Sequence, residues 1–146
     1  MADARKVAAD FVEAFNAHDE ARLRELNAEN AVFEGAGDVR LEGREPVTQY
    51  AMMWLNAFPD ARLTVHNELV AGDWVVQEFT FKGRHEATLT TPGGDVPPTH
   101  RELQGRGVQV LRAEGDKIAD TRLYYDQVQI MSQLGLMPEP SSSVAG

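Results

Sequence analysis

The sequence predicts an α+β fold: a strongly curved, cone-shaped antiparallel sheet with the N-terminal helices packed on its concave face. In the first sixty residues, apolar side chains recur every three or four positions, which is typical of amphipathic helices. From residue 61 onward they alternate with polar ones in segments separated by turns, which is typical of antiparallel strands. Helices followed by a run of strands place the helices on one face of the sheet. The mouth of such a cone is a natural pocket for a small molecule.

Length and composition limit the possible classes of protein. A chain of 146 residues fits one domain, and we assign 1–138 to it and the polar, proline-bearing stretch 139–146 to a disordered tail. A net charge of −9 without any basic cluster argues against a nucleic-acid partner. No apolar run approaches the ~20 residues that cross a bilayer. With no cysteine and no apolar leader at the N-terminus, we expect a soluble, cytoplasmic protein.

Three helices are predicted before residue 60. Val7, Phe11 and Phe15 recur at helical spacing from about residue 2 to 17. Asp19 is the expected N-cap of a second, shorter helix that ends near residue 26. After a short strand over 31–34, Pro46 suits the first turn of a third helix. That helix carries the widest apolar stripe of the chain, made of Val47, Tyr50, Ala51, Trp54, Leu55 and Phe58.

Strands are predicted for most of the remaining chain. Segments 61–70 and 73–89 should form a hairpin around the turn at 71–73. The second of these strands places Val75, Gln77, Phe79, Phe81 and His85 on the face that we expect to point inward. Segment 91–100 is rich in glycine and proline and is predicted to be a loop, and 101–112 is a further strand.

The last strand, from about residue 117 to 126, carries three charges on one face. Ile118, Asp120, Arg122, Tyr124 and Asp126 share that face by alternation. If it points outward, the charges are ordinary surface; if it points into the cone, they are a functional candidate, because an interior charge is disfavoured unless it is paired or used. Our hypothesis is the inward orientation. At Asp126 the apolar spacing changes to that of a helix, so the residue joins a strand to a helix.

Six segments in this order resemble a known family. They are LEGREPV, AFPDARLTV, AGDWVVQEFTFKGRHEA, PPTHRELQGRGVQVLR, GDKIADTRLYYD and MSQLGL, within residues 7–138. Together they resemble the SnoaL-like polyketide cyclases and ester-cyclase-type proteins of the nuclear transport factor 2-like superfamily. The resemblance implies a cone-shaped fold, a homodimer or larger homo-oligomer, and no metal or organic cofactor. It also implies that Asp126 is the general acid/base of an aldol closure and that His85 matches a histidine of the family.

The chain departs from the family pattern at three places. Arg122 stands where relatives commonly have tryptophan, and it would add a permanent cation to the predicted pocket face. His100 replaces the glycine of a PPTG segment, and the last turn reads Gly115-Asp116 in place of Asp-Gly. The departure at Arg122 puts the substrate, or the activity itself, in question.

The two catalytic candidates each have a structural alternative. Asp126 is either a pocket carboxylate whose pKa is raised by partial burial or the N-cap of the last helix. His85 is either a catalytic residue that stabilises an enolate or orients a substrate carbonyl, or a structural residue at the rim of the pocket whose hydrogen bonds are made within the protein. The histidines show no HxH or HxxxH spacing, so no metal site is expected.

Further residues are candidates for substrate binding. Gln77 and Tyr124 could hydrogen-bond a ligand oxygen, and Arg122 would lie beside them. Phe15, Tyr50 and Trp54 are either core residues or an aromatic pocket wall suited to a flat ring.

The sequence therefore predicts a SnoaL-like, cofactor-free enzyme for a hydrophobic, carbonyl-bearing, polyketide-like molecule. Asp126 would remove a proton beside a carbonyl, His85 or Gln77 would hold the enolate, and an aldol-type cyclisation or an isomerisation would follow. One alternative is an epoxide hydrolase of the limonene-epoxide-hydrolase type that uses Asp120, Arg122 and Asp126. The other is a module that binds a hydrophobic ligand or serves as a dimerising scaffold without catalysis.

Overall fold

The computed structural model describes residues 3–91 and 94–137. It contains the helices α1 (Ala4–Asn16), α2 (Glu20–Leu26), α3 (Arg44–Ala57) and α4 (Gln127–Gln133). Three of them begin at an aspartate whose side chain accepts a hydrogen bond from a backbone N–H three residues later: Asp3 for α1, Asp19 for α2 and Asp126 for α4. Such caps satisfy N–H groups that have no partner within the helix. The predicted caps at Asp19 and Asp126 are confirmed.

The described residues contain eight strands, and six of them form one curved sheet. The strands are β1 (Asn27–Gly35), β2 (Val39–Glu42), β3 (Arg62–Ala71), β4 (Trp74–Arg84), β5 (Leu89–Thr91), β6 (Gly94–Val96), β7 (Glu102–Glu114) and β8 (Lys117–Tyr125). The large sheet has the order β2-β1-β8-β7-β4-β3. All its pairs are antiparallel except β1 with β8, which makes the sheet mixed. The predicted fold class is confirmed.

Two local predictions need correction. The segment after the short first strand was expected to lead directly into the third helix, but 39–42 forms the edge strand β2. The segment 91–100 was expected to be a loop, but β5 and β6 pair there as a small separate hairpin. The predicted tail, 139–146, lies outside the described residues.

The main core lies between the helices and the inner face of the sheet. It joins apolar residues of α1, α2 and α3 to those of β3, β4, β7 and β8, and Ile130 and Leu134 of the C-terminal segment close one side. The predicted inward face of β4 is confirmed, because Val75, Gln77, Phe79, Phe81 and His85 are all buried. Burial of these apolar side chains is the main source of stability of the fold.

The predicted inward face of β8 is wrong for all its residues beyond Ile118. Ile118 is buried and pairs with Ala113 of β7, but the next pair is Asp120 with Arg112. Ala119 is therefore an extra residue, a β-bulge that reverses the alternation of the strand. As a result Asp120, Arg122 and Tyr124 lie on the outer face, and Thr121, Leu123 and Tyr125 point inward.

Two glycines on the inner face of β7 allow a direct test of the packing. A Cβ atom at Gly107 would lie 2.6 Å from Cζ of Phe79, whereas one at Gly105 would meet Ile130 Cγ1 at an ordinary 3.7 Å. We expect Gly107→Ala to lower the free energy of unfolding by about 1–3 kcal/mol, because the buried Phe79 ring must move. Gly105→Ala is the matched control and should stay within about 0.5 kcal/mol of the original protein. Urea unfolding measures both, and equal effects would contradict this account of Phe79.

Candidate active site

A largely aromatic cavity of about 90 Å³ lies between the helices and the concave face of the sheet. We call it the inner cavity. Its aromatic lining consists of Phe11 and Phe15 of α1, Tyr50 and Trp54 of α3, and Phe33, Phe79, Phe81 and Tyr125 of the sheet. From the sequence, Phe15, Tyr50 and Trp54 were either core residues or candidates for the pocket wall, and all three lie in the lining of the inner cavity.

Trp54 is at the centre of the aromatic wall. Its ring meets Phe81 edge-on with centroids 5.6 Å apart and Tyr125 at 90° with centroids 5.8 Å apart, and it stacks on Phe58 at 6.0 Å. Edge-on and offset arrangements are the favoured geometries of aromatic pairs. The wall is therefore a packed surface with a defined shape.

Three hydrogen-bonding groups of the wall lie near one another. Burial raises the pKa of the Tyr50 hydroxyl, and the nearby Tyr125 hydroxyl raises it further, although Trp54 acts in the opposite direction. Tyr50 is thus a neutral hydroxyl that can donate a hydrogen bond across the physiological pH range. The Nε1–H of Trp54 is buried and makes no hydrogen bond of ordinary geometry within the described residues, although it lies close enough to the Tyr50 oxygen to lower the pKa of that hydroxyl. Buried donors without a partner are rare and call for an explanation such as a ligand.

A chain of side chains crosses three strands beside the cavity. Gln109 of β7 donates from Nε2 to Oε1 of Gln77 at 2.8 Å, and Gln77 donates from Nε2 to Oε2 of Glu68 at 2.8 Å. Gln109 lines the inner cavity, but Gln77 does not. Because both ends of its amide are engaged, Gln77 does not offer a ligand the free hydrogen bond that the sequence suggested.

Asp126 does not point into the inner cavity, so the predicted orientation is wrong. The residue is exposed, and its Oδ1 accepts a hydrogen bond of 3.1 Å from the backbone N–H of Gln129. Asp126 instead borders a wider depression of about 530 Å³, the outer pocket, with His66, Glu78, Gly107, Val108 and Tyr124. Phe79, Arg106 and Tyr125 line both spaces. The carboxylate is therefore separated from the inner cavity by its neighbour Tyr125.

His85 is fully buried, but it lies behind the wall and does not line the inner cavity. Its ring stacks on Phe58 with centroids 5.2 Å apart. Its Nδ1 accepts a hydrogen bond of 3.2 Å from the backbone N–H of Thr99, so the neutral ring carries its proton on Nε2. Burial lowers the pKa of His85, and the carbonyl of Ala87 partly opposes this effect.

The charged residues of β8 form a cluster on the outer face of the sheet. Arg122 lies over the ring of Trp74 at 5.3 Å, and Arg112 lies over the same ring at 5.9 Å. Asp120 lies 3.7 Å from Arg112 and 3.8 Å from Arg122. Both guanidinium groups therefore make a cation–π interaction with the ring of Trp74 and an ion pair with the carboxylate of Asp120. Arg122 and Tyr124 were expected to contact a substrate inside the cone, and the β-bulge places both outside.

The arrangement required for the epoxide-hydrolase alternative is consequently not formed in the inner cavity. Asp120 and Arg122 lie on the opposite side of the sheet, and Asp126 lies at the outer pocket. In the described part of the chain, no group of three or more His, Cys, Asp or Glu side chains is arranged to hold a metal ion.

Sequence reasoning missed Tyr125, Thr121, Gln109 and Arg106 as residues of the lining. Tyr125 and Thr121 were assigned to the outer face of the last strand because the bulge was not recognised. Gln109 of β7 lies opposite Gln77 of β4 and therefore shares its inward face. The pairing of these two strands would have been enough to predict Gln109 as an inward-facing residue.

A family model described as "SnoaL-like polyketide cyclase" matches residues 5–134. No curated protein matches the sequence. No helix in the described residues is long and apolar enough to cross a membrane.

Many solved structures are similar to this one, and three of them illustrate the range. A proposed SnoaL-like polyketide cyclase from Jannaschia sp. CCS1 has a TM-score of 0.80 and 19% identity, over 92% of this chain and 93% of its own. Wild-type IdmH, a proposed polyketide cyclase from Streptomyces antibioticus, has a TM-score of 0.75 and 27% identity, over 91% and 99%. An LEH-like epoxide hydrolase of M. tuberculosis has a TM-score of 0.69 and 16% identity, over 90% and 88%.

The burial of His85 predicts a pH dependence of stability. Because the folded-state pKa of His85 lies below its ordinary value of about 6.5, the unfolded chain binds the proton more readily. The free energy of unfolding should be largest above about pH 7 and should fall as the pH drops towards 5. We expect this slope to be smaller in His85→Gln, measured by urea unfolding at several pH values. His66→Gln, which removes an exposed histidine, should keep the original slope; an unchanged slope in His85→Gln would contradict the prediction.

Proposed function

The chain belongs to the SnoaL-like polyketide cyclase family, and from that premise we propose that it is a cofactor-free enzyme acting on a small, largely apolar, carbonyl-bearing molecule. The reaction is an aldol-type cyclisation or an isomerisation that begins with removal of a proton beside the carbonyl. The observation that carries the proposal is the inner cavity, which is concave, largely aromatic and lined by a few polar groups.

The aromatic wall favours a flat ring system as the ligand. Trp54, Phe81 and Tyr125 present ring faces and edges that can stack on a planar molecule. The inner cavity is small at about 90 Å³, so a larger substrate would extend towards the outer pocket that shares its lining. The predominantly apolar lining of the cavity strengthens the hydrogen bonds made inside it.

Tyr50, Tyr125 and Trp54 are proposed to hold the carbonyl oxygen. The raised pKa of Tyr50 keeps its hydroxyl protonated, and the indole N–H of Trp54, close to that hydroxyl, makes no hydrogen bond of ordinary geometry within the described residues. Donors fixed at the place where negative charge develops stabilise an enolate more than the ground-state carbonyl. These residues take the role that the sequence suggested for His85 and Gln77.

Asp126 is proposed as the group that removes the proton. Only Oδ1 is engaged in capping α4, and no described residue donates a hydrogen bond to the other oxygen. The residue follows Tyr125 directly, so a substrate with its carbonyl at Tyr125 and its other end in the outer pocket would approach the carboxylate. A positioned general base of this kind contributes about 10²–10⁴-fold to the rate.

A non-catalytic module that binds a hydrophobic ligand is the second candidate. It is favoured by one observation: no Asp, Glu or His is found among the described residues that line the inner cavity. In this case Asp126 would only cap α4.

Substitution of Asp126 discriminates between the two candidates. We expect wild-type protein to catalyse exchange of the α-protons of 2-tetralone, a flat apolar ketone, in deuterated water, followed by NMR. Asp126→Asn should remain folded, because asparagine caps a helix as well as aspartate does, but should lose about 10²–10⁴-fold in rate.

Asp19→Asn is the matched control, since Asp19 caps α2 with a similar 3.0 Å hydrogen bond and does not line the inner cavity or the outer pocket. Its rate should equal that of the wild type. Unchanged exchange in Asp126→Asn would exclude Asp126 as the base. Binding of 2-tetralone without any catalysed exchange would favour the binding module.

We also propose a homodimer that pairs the outer faces of two sheets. A row of half-buried apolar side chains, Trp74, Val76, Val108 and Val110, crosses that face beside the exposed Tyr124. The same face carries the cations Arg112 and Arg122 and the carboxylate Asp120, so it offers charges of both signs to a second copy.

A charge placed in the apolar row tests the homodimer. Val108→Glu should shift the protein from dimer to monomer in sedimentation velocity, because an unpaired charge in an interface is strongly disfavoured. Val128→Glu, at an exposed position of α4, is the control and should leave the dimer intact. A wild-type protein that sediments as a monomer would exclude this proposal.

A further inference from the structure

Glu68, Gln77 and Gln109 occupy one row across the sheet. In the strand register Glu68 of β3 lies opposite Gln77 of β4, and Gln77 lies opposite Gln109 of β7. The two glutamines are buried, with exposed fractions of 1% and 4%. Side chains opposite each other on paired strands point to the same face. The row therefore runs from the partly exposed carboxylate of Glu68 to the wall of the inner cavity.

The carboxylate determines which way each amide of this row is turned. An ionised carboxylate can only accept hydrogen bonds, so Gln77 must present its NH₂ group to Glu68, at 2.8 Å. Its Oε1 then faces Gln109 and accepts from that residue's NH₂ group at 2.8 Å. The opposite orientation of either amide would place two acceptors or two donors against each other. Gln109 is thereby left with its carbonyl oxygen, Oε1, as the group not used by the row.

The Oε1 atom of Gln109 is an acceptor without a partner among the residues that the structure describes. Gln109 lines the inner cavity, and no described residue donates a hydrogen bond to its Oε1. A buried amide oxygen next to an apolar ligand without a donor loses its hydrogen bond to water and gains none, which disfavours that ligand. A ligand that brings a hydroxyl or N–H group to this place satisfies the oxygen.

We propose that Gln109 is a specificity-determining residue that selects ligands with a hydrogen-bond donor, and that Glu68 is the positioning residue that fixes its orientation. The inference rests on the proposed function only in taking the inner cavity as the ligand site. The substrate class is thereby narrowed to ring-bearing carbonyl compounds that also carry a hydroxyl or enol group. The carbonyl oxygen meets the donors Tyr50, Tyr125 and Trp54, and the hydroxyl group meets Gln109.

Two probes of nearly identical shape test this selection. Indole carries an N–H group where benzofuran carries an oxygen atom, so the pair differs chiefly in donating or accepting. We expect wild-type protein to bind indole about tenfold more tightly than benzofuran by titration calorimetry, the effect of one well-placed buried hydrogen bond. In Glu68→Gln the neutral amide can donate as well as accept, so the row can reverse. The preference should then fall to about threefold or less.

The ratio of the two affinities is the decisive measurement, since a general loosening of the protein would weaken both probes alike. Glu102→Gln, on the outer face of β7 and paired with Lys82 at 3.4 Å, removes a carboxylate away from the row and should keep the wild-type ratio. Gln109→Leu should bring the ratio close to one. Equal binding of the probes to wild-type protein, or an unchanged ratio in Glu68→Gln, would overturn the inference.

The outcome is separate from that of the catalytic proposal. If the protein prefers indole but does not catalyse proton exchange on 2-tetralone, the selectivity by Gln109 stands and the proposed catalytic activity is excluded. If neither probe bound, the inner cavity would not be the ligand site, and the inference and the proposed function would both be wrong. Catalysed exchange with equal binding of the probes would retain the enzyme and reject the role of Gln109.

Discussion

The pairing of β7 with β8 decides which side chains meet the inner cavity. Between Arg112 and Ala113 the register shifts by one residue, and Ala119 becomes a bulge. Every later residue of β8 consequently points to the face opposite the one that simple alternation from Ile118 would give. Tyr125 completes the aromatic wall, Leu123 lies beside it in the lining, and Asp120 and Arg122 join Trp74 outside. A single inserted residue therefore separates an apolar binding surface from a charged one.

The polar groups buried beside the cavity fall into two kinds. Gln77 is engaged at both ends and does not line the cavity, so it contributes to the fold without being open to a ligand, whereas Asn27 lines the cavity and donates to Thr48 at 3.0 Å. Trp54 Nε1 and Gln109 Oε1 have no partner among the described residues. Because burial of an unpaired polar group is unfavourable, the second kind is where a ligand would be recognised. One unmatched donor and one unmatched acceptor in the same cavity suit a molecule that carries both.

The position of Asp126 shows how one residue can serve a helix and still be open to chemistry. Capping uses one of its two oxygens, and the surrounding outer pocket keeps the other accessible. The same fold holds proteins described as polyketide cyclases and as an epoxide hydrolase. Function on such a fold follows from the side chains in and around the cavity and not from the architecture. In this chain those side chains include aromatic rings, hydroxyls, amides and the guanidinium of Arg106, with the carboxylate of Asp126 outside the inner cavity.

The sequence by itself determined the helices, the Asp19 cap of α2 and the inward face of β4, and it offered Asp126 as the cap of α4, because these depend on the spacing of neighbouring residues along one segment. It also determined three of the aromatic residues of the wall, Phe15, Tyr50 and Trp54. Only the tertiary structure decided the parallel pairing of β1 with β8, the outward face of Arg122 and the exposure of Asp126. Alternation fixes which residues share a face but not which face is buried, and one bulge reverses the assignment. That choice is made by the contacts of β8 with β1 and β7, which join residues far apart in the chain.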